Sequence, residues 1–266
     1  MRKAKKGWII AATALTVSGV LIIAGALAAV GFDIKKLNTV EYTTVTEKIS
    51  SDFDSIDIDV NSAEIKLEHT DEKECTVTFY EPEKLHFKAE IENKTLTVSY
   101  DDSREWYEYI NFDLNSPKIT ILLPKAGYDK IGIETTTGNI DISSLKANSF
   151  DLITTTGNIR ADSVNVDGNA DLETTTGNIK LTDTVISGSL HINCTTGNIH
   201  FDCSDAADIY AETTTGNIKG TLLSDKVFSV DTTTGDIDVP NNGNGGKCKL
   251  ETTTGNIKIE IAKADS

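Results

Sequence analysis

His191-x-x-Cys194 and His200-x-x-Cys203 combine the residue types and spacing of a zinc site, where imidazole and thiolate must converge on one tetrahedral ion. Both pairs lie in stretches whose apolar residues alternate, so side-chain parity decides whether they converge. His191 and His200 fall on outward positions and Cys194 on an inward one, so the ligands point apart and no metal is expected. The acid pairs Asp57/Asp59 and Asp101/Asp102 could bind Ca²⁺ weakly, but Asp57 and Asp59 alternate with Ile56, Ile58 and Val60, which reads as the wet side of a strand. GxSxG, HExxH, phosphate-loop and dinucleotide fingerprints do not occur. No catalytic, cofactor-binding or metal-binding residue is therefore predicted.

The elements that would have to position any site come from a repeat. Gly138, Gly157, Gly177, Gly197, Gly216, Gly235 and Gly255 follow one another at intervals of 19, 20, 20, 19, 19 and 20 residues. Each stands in a TTTGN-type motif, with Cys194 replacing the first Thr in one copy and Asp236 replacing Asn in another. A period near 20 means stacked supersecondary units. Counting from each glycine, position +2 is Ile140, Ile159, Ile179, Ile199, Ile218, Ile237 and Ile257, which predicts one continuous buried column. Positions −5 and −7 are also apolar and are read as inward. The odd step from −3 to +2 breaks strict alternation, so the chain must turn at Thr-Gly-Asn, where glycine and asparagine tolerate positive φ. A third, looser side runs through Leu145, Val164, Ile186 and Leu223.

One coil cannot fold alone. Ordering ~20 residues costs on the order of 20 to 40 kcal/mol of backbone entropy, against ~1.5 to 3 kcal/mol for each of a handful of buried side chains. Stacking at about 4.8 Å shares the core and pairs the backbones in parallel. The expected fold class is all-β: a single-stranded parallel β-helix (β-solenoid) of about seven coils over 131–261, a β-rich N-terminal part over 51–130, and a C-terminal tail at 262–266. Glu92-Asn93-Lys94 reads as a hairpin turn, and Ser103 to Ser116 as an aromatic-rich excursion.

Outside the repeat core, −4 carries Glu134, Glu173, Glu212, Asp231 and Glu251, interrupted by Ile153 and Asn193, and +3 carries Asp141, Arg160, Lys180, His200, Lys219, Asp238 and Lys258. These read as a solvated face with ion pairing across the corner. The Asn column at +1 reads as a stacked amide ladder. Outward Thr arrays on a solenoid can order water, but only the −2 row is expected to face out cleanly and its neighbours are charged. Catalysis needs one unique constellation, whereas each coil offers nearly the same side chains, so the protein is read as no enzyme. Cys75, Cys194, Cys203 and Cys248 sit at core-like positions and read as small hydrophobes, with one disulfide left open.

Residues 7–32 form an uncharged apolar run preceded by Arg2, Lys3, Lys5 and Lys6. Its ~39 Å as a helix exceeds the ~30 Å of a bilayer core, predicting a single-pass anchor with residues 1–6 cytoplasmic and the body extracellular; a cleaved signal peptide is the alternative. Residues 33–50, polar and Thr-rich, read as a stalk. The 25 bases and 41 acids leave a charge of −16, and beyond residue 32 the balance is 21 against 41, or −20. Such a body repels nucleic-acid phosphates, so nucleic acid is not an expected partner. The expected partners are the bilayer, through the N-terminal helix, and an envelope component or membrane protein; oligomeric state stays open.

The TTTGNI repeats, the segment IDIDVNSAEIKLE and the phrase ITILLPKAGYDKIGIETTTGNI together resemble the toastrack family of adhesin-like bacterial domains over roughly Ser51 to Ile261. The resemblance implies a β-helical envelope domain, often membrane-anchored and associated with envelope-stress regulation in low-GC Gram-positive bacteria. It brings no catalytic motif. The function expected is a structural or interaction module of the envelope, with an adhesin for wall polymer, glycan or cationic peptide as the alternative.

Overall fold

The computed structural model describes residues 40–105, 115–124, 127–241 and 243–262, with scattered positions between 16 and 31. The predicted span 7–32 lies largely outside the described residues. Its described positions from Thr16 to Ala29 are helical, and no helix among the described residues is long and apolar enough to cross a membrane. Most of the excursion at 103–116 and the tail at 262–266 also fall outside. Tyr42–Ser103 and Ser116–Ser266 form one compact unit.

That unit is a parallel β-solenoid. In each regular coil a strand of the leading sheet, such as Lys146–Thr156, alternates buried and exposed residues and ends at the Thr before the glycine. Gly and Asn carry the chain round the corner, and a short strand of the trailing sheet begins at the isoleucine, as in Ile159–Asp162. Strands stack in register: Phe150, Leu152 and Thr154 face Ile131, Ile133 and Thr135 of one neighbour and Ala170, Leu172 and Thr174 of the other. The column Ile140, Ile159, Ile179, Ile199, Ile218 and Ile257 is wholly buried.

A second corner follows six residues after the glycine. Ser144, Ser163, Asp183 and Cys203 adopt φ of 56°, 56°, 45° and 49° there. Short Ser and Asp side chains can bond the local backbone and so tolerate this left-handed geometry, which no Gly or Asn signals in the sequence. Beyond it the third side buries Leu145 and Val164, then Ala147, Val166, Ile186 and Ala206. Leu223 does not belong to this column. It is 44% exposed, and Leu222 is buried instead.

The layers do not follow chain order at either end. The Gly216 coil pairs with the Gly255 coil, which in turn pairs with the Gly235 coil. The last coil in sequence is therefore inserted, and the sixth lies outermost. This corrects the expectation for Ile237, which is 48% exposed because no further layer covers its column. At the other end Ser55–Ser62 and Glu64–His69 form a coil stacked on the Gly138 coil, and Thr95–Asp102 with Lys118–Leu123 stack beyond it. The solenoid thus extends two layers into the segment 51–130, and its boundary at 131 is not a structural break.

Two antiparallel additions close that end. Leu85–Glu92 pairs with Thr95–Asp102 through a turn at Asn93 and Lys94, whose φ are 49° and 63°. Cys75–Pro82 runs antiparallel to Lys118–Leu123 and also to Tyr42–Ile49. The latter strand corrects the reading of 33–50 as a featureless stalk: from Tyr42 it is an edge strand, largely exposed, so its sequence carries no core-facing alternation.

Candidate functional site

The seven corners are built from three residues acting on the next layer. In the inner coils, Thr154 and Thr174 donate through Oγ1 at 3.0 Å to the carbonyls of Gly138 and Gly157, and Thr213 and Thr252 do the same to Gly197 and Gly216. A Cβ on Gly177 would lie 1.8 Å from the Gly157 carbonyl oxygen, and φ there is +156°, so both space and backbone exclude a side chain. The same contact recurs at Gly138, Gly157, Gly197, Gly216, Gly235 and Gly255. The asparagines form a ladder: Asn158 gives both its backbone N–H and its Nδ2–H to Asn139 Oδ1 at 2.9 Å, and Asn178, Asn198 and Asn217 continue the pattern. These columns fix register and leave no reactive group free.

The two outward faces differ in charge. On the trailing sheet, ions are paired locally: Arg160 with Asp141 at 3.1 Å, Lys180 with Asp202 at 3.5 Å, and Lys258 with Glu260 at 3.3 Å and Asp238 at 3.7 Å. The pairs run along or within this face, which corrects the expectation of pairing across the corner. On the leading sheet the −4 column reads, in spatial order, Asp59, Glu134, Ile153, Glu173, Asn193, Glu212, Glu251 and Asp231. Ile153 and Asn193 separate the central acids by two layers, ~10 Å, about one Debye length, which relieves repulsion. At the far end Glu212, Glu251 and Asp231 are consecutive. Glu251 is met by Lys249 at 2.8 Å, whose ammonium pKa that hydrogen bond raises. Among the described residues Glu134, Glu173, Glu212 and Asp231 have no ion-pair partner.

The motifs with metal-like spacing are not brought together. His191 stacks on Tyr210 of the next coil with ring centroids 4.8 Å apart, and His200 Nδ1 bonds the Lys219 carbonyl at 3.1 Å. Cys194 lies inward and donates to the Gly177 carbonyl at 3.4 Å, in place of the usual threonine. Among the described residues no group of three or more His, Cys, Asp or Glu is placed to hold a metal. All four thiols are free; burial pushes Cys75 and Cys248 up to about 12 and also raises Cys194. Both Thr rows, −2 and −1, are exposed rather than one, because the corner swings the last strand residue outward.

One constellation breaks the repetition and escaped the sequence reading. Lys226 follows the third side of the Gly216 coil, reaches the Ala206 carbonyl and is 3% exposed. Its ammonium gives its three hydrogens to the Ala206 carbonyl at 2.7 Å, Ser224 Oγ at 2.9 Å and Asp205 Oδ1 at 2.7 Å. Ser224 in turn donates to Asp205 Oδ2 at 2.5 Å. With every donor engaged, Lys226 offers Ser224 no lone pair, so the group pins the chain rather than activating a nucleophile. No signal for it stood in the repeat, since the positions ten residues after the earlier glycines are Asn148, Asp167, Ser187 and Ala207. Buried Glu81 is likewise satisfied, accepting from Phe87 N–H at 2.7 Å and pairing with His86 Nδ1 at 3.0 Å.

In-register corners and long solvated columns define a parallel β-solenoid of repeated layers. The chain belongs to the Toastrack DUF4097 family, whose model matches residues 53–266. Among solved structures it is similar to a candidate adhesin from Bacteroides fragilis, with 18% identity, a TM-score of 0.56, and coverage of 82% of this chain and 97% of the other. That likeness establishes the fold. A candidate lipid-binding protein from Parabacteroides distasonis has 17% identity and a TM-score of 0.45, covering 85% of this chain and 98% of its own. A candidate cell adhesion protein from Clostridium sporogenes has 14% identity and a TM-score of 0.37, covering 84% and 100%. No curated protein matches the sequence.

Proposed function

We propose that the chain is a non-enzymatic interaction module of the bacterial envelope, held by the apolar segment 7–32 with its solenoid outside the membrane. In this reading it contacts an envelope component or a membrane protein and takes part in envelope-stress sensing or regulation. The observation that carries the interaction role is the asymmetry of charge: the trailing face is ion-paired, whereas Glu134, Glu173, Glu212 and Asp231 on the leading face are left to solvent. Unpaired acids in a rigid column give a field that a cationic surface can meet without first breaking internal pairs. The basic residues before the apolar run support the orientation.

A surface adhesin for wall polymer, glycan or cationic peptide is the second reading, favoured by the same acids. The two separate in a deletion strain carrying an envelope-stress reporter. Loss of the transcriptional response to envelope-active antibiotics supports regulation, whereas an intact response with lost surface binding supports adhesion. Protease shaving of intact cells tests the orientation, and turnover assays on wall fragments should be blank.

A further inference from the structure

The outermost layer is an unfinished template. In each inner coil the glycine and isoleucine N–H groups donate to the next layer, as Gly138 N does to Thr156 O at 3.0 Å and Ile140 N to Asn158 O at 2.9 Å. Among the described residues the Gly235 coil pairs only with the Gly255 coil, so Gly235 N–H, Ile237 N–H and the Gly235 carbonyl have no next layer. Asp236 ends the asparagine ladder: its N–H donates to Asn256 Oδ1 at 2.9 Å, while its own carboxylate holds the position that accepts from a following layer in the other coils. The end of the core is uncovered at the same layer, with Ile237 48% exposed and Phe228 and Val230 only partly buried.

We propose that this edge takes up an extended polypeptide strand from a partner, with apolar residues at alternate positions and basic residues between them. The backbone of such a strand would complete the open hydrogen bonds by β-augmentation, and its apolar residues would cover Ile237, Phe228 and Val230 at the end of the core. Charge selects the partner. Asp231 and Asp236 are unpaired among the described residues and Glu212 and Glu251 lie just behind, while Asp238 is shared with Lys258. The same acids disfavour a second copy of this chain, since edge-to-edge pairing would set Asp231, Asp236 and Asp238 against their own counterparts. The inference goes beyond the proposed function: it concerns one edge and stands apart from the membrane anchor or any stress response.

The test uses the full chain in detergent micelles and a synthetic peptide that keeps one coil's apolar and TTTG positions with lysine at the outward ones. Amide exchange at Gly235 and Ile237 should slow when this peptide is added, and a glutamate-substituted peptide should bind at least about tenfold more weakly. Asp231→Asn with Asp236→Asn keeps the ladder acceptor and should weaken lysine-peptide binding by a similar factor. Ile237→Pro removes an outward donor together with the half-exposed side chain, and the protection at Gly235 should be lost, with unchanged circular dichroism showing that the coil stays folded. Equal binding of both peptides, protection spread away from this edge, or self-association through it in sedimentation would overturn the proposal.

Discussion

Asn256 donates its backbone N–H to Asn217 Oδ1 at 2.8 Å across 39 residues of sequence, skipping the Gly235 coil that lies between them in the chain. The final coil is thereby an inner layer, wedged between the Gly216 and Gly235 coils. The first coil, Ser55–His69, is wedged in the same way between later segments. Near both ends of the solenoid the layers are thus laid down out of chain order, which ties the last and first coils to the interior of the stack.

Equivalent isoleucines should then differ sharply. Ile257→Ala, at a wholly buried position, should cost about 2 to 5 kcal/mol in urea unfolding. Ile237→Ala, at the 48% exposed position, should cost less than about 1 kcal/mol. Sequential stacking would reverse that order.

Gly177→Ala should abolish folding or cost more than about 4 kcal/mol, because the new methyl would fall 1.8 Å from a backbone oxygen that cannot move without shifting a whole layer. Gly127→Ala, with nothing within 4 Å, should be close to neutral. Thermal melts of the two variants make the comparison.

Asn158→Ala removes the Oδ1 acceptor used by the Asn178 backbone and side-chain N–H groups and the Nδ2–H donation to Asn139, while the backbone donation to Asn139 stays. A loss of about 1 to 3 kcal/mol is expected from the stranded N–H groups. Asn158→Asp keeps the acceptor and should recover part of it, read by denaturant midpoint.

Lys226→Met leaves Asp205 only 11% exposed and without its counter-ion, for an expected cost of about 3 to 5 kcal/mol. Adding Asp205→Asn should restore much of the loss, since the penalty is an uncompensated charge rather than a missing attraction. A double-mutant cycle measures the coupling.

Stability should fall as pH rises above the ordinary thiol value of 9.0. Cys75 and Cys248 stay protonated in the fold to about 12 while the unfolded chain loses those protons, so the folded state binds more protons across that window. Cys75→Val with Cys248→Ala should flatten the slope relative to the parent between pH 9 and 10. Alkylation of the native protein at neutral pH should label half-buried Cys203 first.

Much of this protein was legible because its decisive interactions are local in register. A glycine that must approach a carbonyl, an asparagine beside it and an isoleucine two positions on recur at every layer, so the corner, the inward columns and the solenoid class can be read from spacing alone. The acidic leading column could be read in the same way. Lys226 and the strand Tyr42–Ile49 could not, since their partners Asp205 and Cys75–Pro82 are set by layers and sheet edges rather than by periodicity. Layer order was decided only in three dimensions. Each TTTG corner offers nearly the same hydrogen-bonding edge to any other, so local sequence cannot rank neighbours, and the choice falls to which packing buries Ile257 and leaves Ile237 at the end.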